Sequence, residues 1–233
     1  MREYDEEREW EDQQEADGEA YYDHLYKQIG PEWARDHASE LLEEHYEDAV
    51  NQFTLERLQS YYLAQPNLAV PARDSLLYAQ SLMPSFPQAA LVFAVTATEL
   101  TVKTVLLKPL ISGLVHTEDL ASFIAELTTK HTGMDRFQKL LTEIVAQFGG
   151  VQLKTFKRAG SVKTLWEEIG EIQCARNAVS HRGETVDSGI AVIAISVSTT
   201  LLNEVFPQIL KKLGLHLHDP ITVCGVSHPN STR

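Results

Sequence analysis

The sequence predicts an all-α fold, a helical bundle with an acidic N-terminal extension. Apolar residues recur at helical spacing along most of the chain, and proline or glycine residues separate these periodic segments. The hydrophobic share of 43% is sufficient for a real core. We expect a partly helical acidic extension over residues 1–65, a helical domain over 66–213 and a tail over 214–233.

The N-terminal extension carries most of the acidity. Residues 1–50 hold 18 acidic and 4 basic side chains, a net charge of −14, whereas the remainder holds 15 acidic and 16 basic side chains, a net charge of +1. Residues 1–30 are polar and interrupted by glycine, which predicts a mobile arm or a solvated helix. Two roles stay open: a solubilising arm, or an RNA mimic that covers a basic cleft and restrains the protein.

The helices of the first half are delimited by prolines. Three are predicted: Pro31 to about Ala64, Pro71 to the residue before Pro84, and about Gln88 to Leu107. The third is apolar nearly all round, which indicates a central position in the bundle.

Four further helices are predicted in the second half. They run from Thr117 to before Gly133, from about Met134 to Phe148, from a cap at Ser161 to Gly183, and from Thr185 to about Leu213. Residues 151–160 are interpreted as a connector. Val, Ile and Thr cluster within 190–200, so a strand is possible there, but the length of the segment favours a helix. The tail from Leu215 is expected to be irregular or to form one short edge strand.

One motif near the end of a predicted helix suggests chemistry. Arg176 is followed directly by Asn177, and His181 lies at Arg-x4-His spacing. Histidine titrates near neutrality and can move a 2′-hydroxyl proton. Arginine is a permanently charged, planar donor for phosphate oxygens. The pair therefore suits RNA cleavage without a metal ion, with Asn177 one turn before His181 to orient the imidazole or the substrate.

This motif resembles the signature of the HEPN family (higher eukaryotes and prokaryotes nucleotide-binding), Arg-x4-6-His, often with a polar residue after the arginine. The segment Ala90 to Leu107, with Glu99 and Lys103, resembles the central helix common in such domains. The resemblance covers about residues 70–213. It implies a HEPN-like helical bundle that acts as a metal-independent endoribonuclease, a toxin or antiviral effector, with Arg176, Asn177 and His181 as catalytic residues.

The spacing of the motif raises a geometric difficulty. Five residues on an ideal helix separate the directions of Arg176 and His181 by about 140°. Two arrangements would bring them together: the helix loosens near Arg182–Gly183, or two copies of the chain pair so that two motifs face one cleft. The resemblance implies the second, a homodimer with a composite site, and Ser180 is a supporting residue beside His181.

Several charged residues are candidates for RNA binding or support. Lys154, Lys157, Arg158 and Lys163 form a basic cluster just before the motif helix, and together with Arg182 they are predicted to guide the RNA backbone. A solvated loop is the alternative. Glu99 and Lys103, four residues apart, are interpreted as an ion pair with a supporting role rather than as reacting groups.

Other site types are not favoured. His216, His218 and Asp219 form only a partial ligand set, so a polar tail is preferred and no metal or cofactor is predicted. The longest apolar stretch, Gly189 to Leu202, is shorter than the roughly 20 residues that cross a bilayer. With two isolated cysteines, Cys174 and Cys224, a cytoplasmic, reducing location is expected.

Alternative functions remain open at this point. The expected partners of the ribonuclease are RNA, a second copy and an antitoxin or regulatory protein. The first alternative is a catalytically inactive HEPN-like dimerisation or binding module that docks a partner protein or nucleotide. The second is an unrelated helical adaptor whose acidic extension recruits a basic partner. In both, Arg176 and His181 are simply cations at a helix C-terminus, where they favour the helix dipole.

Overall fold

The computed structural model describes residues 48–115, 138–218 and 221–225, together with residues 27, 30, 46, 117, 119–121, 123 and 124. These residues are predominantly helical, with one pair of short strands, and the predicted all-α class is confirmed. The chain divides into two units, residues 1–52 and 53–233. In the first unit the described residues are helical. The rest of the predicted acidic extension lies outside the described residues.

The second unit contains six helices and one hairpin among its described residues, besides short helical pieces at 119–121 and 123–124. They are α1 (residues 53–64), α2 (Val70–Leu82), α3 (Pro87–Leu114), α4 (Gln138–Gly149), α5 (Leu165–Arg182), α6 (Ser188–Lys212), β1 (Leu215–His218) and β2 (Thr222–Gly225). The predicted starts of α2 and α3, at Pro71 and Gln88, each lie within one residue of the observed ones. The beginnings of the helices predicted from Thr117 and Met134 cannot be compared, because most of residues 116–137 lie outside the described residues.

Helices α3 and α6 pack against each other at the centre of the bundle, and α5 packs against both. Their contact is lined by small buried residues, among them Ala94 and Ala194. The buried Ser198 hydroxyl lies 2.7 Å from the carbonyl oxygen of Ala94 and 2.7 Å from the hydroxyl oxygen of Thr98. Small side chains let the two helices approach closely. The hydrogen bonds between the two hydroxyls and to the carbonyl offset the cost of burying these polar groups.

Both long helices contain a wider π-helical segment, Thr101–Leu107 in α3 and Leu201–Val205 in α6. In each, the first residue after the segment donates its backbone N–H to the carbonyl five residues earlier. A proline follows at the second position, Pro109 or Pro207. A proline ring clashes with the preceding turn of a regular α-helix, and the wider turn relieves that clash. The predicted end of α3 at Leu107 is therefore wrong: the helix continues to Leu114.

The motif helix α5 begins later than predicted. Thr164, not Ser161, is its N-cap: the Thr164 hydroxyl accepts from the backbone N–H of Glu167, whose carboxylate accepts from the Thr164 N–H. Ser161 instead donates to the carboxylate of Glu168 over 2.8 Å. The C-terminus agrees with the prediction, since Gly183 ends the helix in the left-handed conformation that glycine favours.

The last helix, α6, also begins later than the predicted Thr185. Asp187 is the N-cap, and its carboxylate accepts from the backbone N–H of Gly189 over 2.9 Å. The segment 190–200, where a strand was possible, is helical. Asp187 lies directly before the apolar run and is a better N-cap than Thr185, two residues earlier, because aspartate is preferred to threonine at this position.

The tail forms an antiparallel hairpin of β1 and β2, where the sequence predicted an irregular segment or one edge strand. Leu215 and Val223 are buried in the core, and the Val223 N–H donates to the Pro66 carbonyl over 2.9 Å. Leu58 and Tyr62 of α1 are also buried in that core. The core therefore extends beyond the predicted range 66–213 on both sides.

Helices α3 and α6 are long and apolar enough to cross a membrane by length and composition alone. In their most apolar windows, 61% and 50% of the residues, respectively, are buried inside the protein. The central helices of a water-soluble bundle meet the same criterion, so this observation by itself does not assign either helix to a membrane.

Candidate functional site

Arg176, Asn177 and His181 lie in the last two turns of α5. The helix is regular through Arg182 and ends at Gly183, whose φ is 64°. The first of the two arrangements considered above, a loosened helix end, is therefore not observed. On a regular helix Arg176 and His181 point about 140° apart, so one chain does not bring them into a common cleft.

Arg176 lies at the contact between α5 and α3. Its Nη2 donates to Oε1 of Glu99, and the two side chains are 25% and 27% exposed. Glu99 therefore pairs with Arg176 across the helix contact, and the predicted pairing of Glu99 with Lys103 is wrong. Among the residues that the structure describes, Lys103 has no ion-pair partner. The carboxylate holds the guanidinium through one of its nitrogens and leaves its other N–H donors available.

Asn177 and His181 lie on the exposed side of α5. Helical spacing places them in one row with Gly170 and Cys174, and Asn177, His181 and Cys174 are exposed. A Cβ added at Gly170 would meet no atom within 4 Å, so the row is open to solvent at that point as well. Ser180, the predicted supporting residue, is exposed and lies on the helix between the directions of Arg176 and His181.

Arg158, predicted to bind RNA, is engaged inside the protein. Its Nε donates to both carboxylate oxygens of Glu168, at 3.1 and 2.8 Å, and Glu168 is buried. Ser161 donates to the same carboxylate. The three residues tie the connector to the first turn of α5, so Arg158 has a structural role.

Two other predicted RNA-binding cations are paired on the surface. Lys163 pairs with Glu171, and this hydrogen bond raises the pKa of the lysine. Arg182 pairs with Glu184, whose hydrogen bond raises the pKa of the guanidinium, while the pKa of Glu184 is lowered by the same contact. Each pair is screened by water and nearly neutral, so neither presents a strong positive potential to RNA.

The remaining two predicted RNA-binding residues, Lys154 and Lys157, are exposed. Within the described part of the chain neither has an ion-pair partner. Lys154 lines an open cavity together with residues of α4, among them Lys139. Sequence reasoning missed this neighbourhood, because Lys139 and Lys154 are fifteen residues apart and line one cavity only in the folded chain.

Two of the three candidate metal ligands in the tail, His216 and His218, lie on strand β1. His216 lies opposite Cys224 in the hairpin register, and Asp219 lies outside the described residues. Among the described residues, no group of three or more His, Cys, Asp or Glu side chains is arranged to hold a metal ion.

Comparisons of the chain with family models, with curated proteins and with solved structures find no match. The function therefore has to be inferred from the residues and their geometry.

Proposed function

We propose that the chain is a metal-independent endoribonuclease of the HEPN type, acting as a toxin or antiviral effector in the cytoplasm. The observation that carries this proposal is the position of the motif on α5. Asn177 and His181 are exposed on an open helix face, while Arg176 is held by Glu99 at the α3 contact. This combination supplies a group that can exchange protons and an oriented cation, on sides of one helix that point about 140° apart.

In the proposed reaction His181 accepts the proton of a ribose 2′-hydroxyl, whose oxygen attacks the adjacent phosphorus. The bond from phosphorus to the 5′-oxygen of the next nucleotide breaks, and that oxygen takes a proton from water while His181 returns its own proton to the solvent. The products are a 2′,3′-cyclic phosphate and a free 5′-hydroxyl. Arg176 stabilises the charge that accumulates on the phosphate oxygens. Asn177 orients the imidazole or the ribose.

A second copy of the chain is required by this proposal. Because α5 is regular, Arg176 and His181 of one copy diverge, so the site combines Arg176 of one copy with His181 of the other. The exposed row that contains Cys174 and Gly170 supports such pairing, since small residues on an open helix face let a second helix approach. In a two-fold dimer this arrangement creates two equivalent sites.

The first test is RNA cleavage by the purified protein in the presence of EDTA, followed by analysis of the product ends. The wild type should cut RNA and leave 2′,3′-cyclic phosphates, and His181→Ala should lose about 100-fold or more in rate, as expected for a general base. Cys174→Ala, at an exposed position two turns earlier in the same row, is the matched control and should remain active. Equal rates for the wild type and His181→Ala would refute the proposal.

The composite site has a test of its own. Arg176→Ala and His181→Ala chains, each inactive alone, are mixed under conditions that let dimers exchange. One site in every mixed dimer then retains both residues, so activity should recover to about a quarter of the wild-type rate. No recovery, with mixed dimers demonstrated by differential tagging, would exclude a site shared between two copies.

One observation favours a second candidate function, a catalytically inactive HEPN-like module that dimerises and docks a partner protein or nucleotide. The charge of Arg176 is balanced by Glu99, as it would be in a purely structural ion pair. In that case His181→Ala changes neither RNA processing nor dimerisation.

A further inference from the structure

An open cavity of about 480 Å³ lies against α4 and the loop that follows it. Its volume falls in the range of about 300–1,000 Å³ that small-molecule sites occupy. Its polar lining side chains come from two turns of α4 and from the connector: Gln138, Lys139, Thr142, Glu143, Gln152 and Lys154. None of them belongs to the motif helix α5.

The polar side chains of this cavity differ from the cations on α5 in having no partner among the described residues. Within the described part of the chain, none of the six makes an ion pair or a side-chain hydrogen bond. Lys139 and Glu143 lie one helical turn apart and still do not pair. The cations beside the motif behave differently, since Arg176 and Arg182 are each held by a carboxylate. The cavity therefore retains donors and acceptors that a ligand can use.

The types of these groups indicate what kind of ligand fits. Two ammonium groups, Lys139 and Lys154, against one carboxylate, Glu143, give the lining a net positive charge. Ammonium groups bind phosphate, whereas a carboxylate, carboxamides and a hydroxyl bind hydroxyl and amino groups.

We propose that this cavity binds a phosphorylated nucleoside, either free or as a unit of an RNA chain. Lys139 and Lys154 hold the phosphate. Glu143 accepts hydrogen bonds from the ribose or base, and the two glutamines donate to and accept from the same groups. The inference does not rest on the proposed cleavage reaction, because binding here is measured without any reaction and uses no residue of α5.

The experiment measures binding to the full-length chain by calorimetry and fluorescence anisotropy. The probes are adenosine and uridine 5′-monophosphate, inorganic phosphate, and a short 2′-O-methyl oligoribonucleotide, which lacks the attacking hydroxyl and stays intact. The test variant is Lys139→Gln/Lys154→Gln. The matched control, Lys108→Gln/Lys211→Gln, removes the same charge from two lysines that do not line the cavity and have no predicted role in RNA binding.

A mononucleotide should bind the wild type more tightly than inorganic phosphate does. The test variant should weaken nucleotide binding by about tenfold or more, as expected for loss of two charge-assisted hydrogen bonds, while the control changes little. If only the oligoribonucleotide binds, with the same dependence on the cavity lysines, the ligand is a unit of RNA. The proposal is overturned if no probe binds, if phosphate alone binds as tightly as the nucleotides, or if both double variants weaken binding equally.

Discussion

The ion pair between Glu99 and Arg176 yields a prediction that can be worked out from the structure. Glu99→Gln keeps the size of the side chain and an accepting oxygen, but it removes the charge opposite the guanidinium. Both side chains are about a quarter exposed, at 27% and 25%. The loss should therefore lie between that of an exposed pair, about 0.2–1 kcal/mol, and that of breaking a fully buried pair, about 3–5 kcal/mol. We expect the free energy of unfolding to fall by about 1–2 kcal/mol.

The measurement is a double-mutant cycle in urea, with Glu99→Gln, Arg176→Gln and the double variant. Because the two side chains contact each other, the two single effects should not add, and the coupling energy should be about 1–2 kcal/mol. The exposed pair of Arg182 and Glu184 is the matched comparison, and Glu184→Gln should leave the unfolding midpoint unchanged. Additive effects of Glu99→Gln and Arg176→Gln would refute the assignment of Glu99 as the group that holds Arg176.

Three further predictions concern stability. Tyr62→Phe removes a buried hydroxyl that donates to the Val105 carbonyl over 2.9 Å, and thermal or urea unfolding should show a loss of about 1–3 kcal/mol. Gly113→Ala would place a Cβ 2.8 Å from Cγ of Leu58, and the same measurement should show a loss of about 1–3 kcal/mol. The hydrogen bonds from Thr164 lower the pKa of Glu167. The contribution of Glu167 to stability is therefore present above the ordinary carboxyl pKa and is lost as the pH falls through the lowered value. The melting temperature should decrease less on acidification for Glu167→Gln than for the wild type.

The helices were predictable where local chemistry determines them. Apolar periodicity and flanking prolines located α2 and the start of α3, and Gly183 marked the end of α5 because a left-handed residue is needed there. The errors at the starts of α5 and α6 came from choosing between nearby capping residues. Ser161 and Thr164, and likewise Thr185 and Asp187, are possible N-caps within three residues of each other. Which one caps the helix depends on the backbone conformation of the folded chain.

The features that the sequence did not reveal depend on contacts between distant segments. The end of α3 was predicted at Leu107, seven residues too early, because no local signal in the sequence indicates that a wider turn precedes Pro109 and lets the helix continue to Leu114. The partner of Glu99 is 77 residues away, so no spacing rule could identify Arg176 in place of Lys103. The burial of Glu168 under Arg158 likewise follows from the path of the connector. The HEPN resemblance and the ribonuclease activity remain predictions that the experiments above address.

The geometry of Arg176 bears on whether the ion pair blocks or assists the proposed reaction. A guanidinium carries five N–H donors in a fixed plane, and Glu99 engages it through one nitrogen. A phosphate can therefore bind the remaining donors while the carboxylate keeps the plane of the group oriented, although the balanced charge lowers its affinity. In the proposed reaction Glu99 positions Arg176, and the group that completes the site is the exposed His181 of another copy. The ribonuclease proposal thus depends on association of two chains, whereas the proposed nucleotide binding in the cavity at α4 requires only one. Dilution of the protein below the concentration at which it dimerises should therefore abolish RNA cleavage and leave nucleotide binding unchanged.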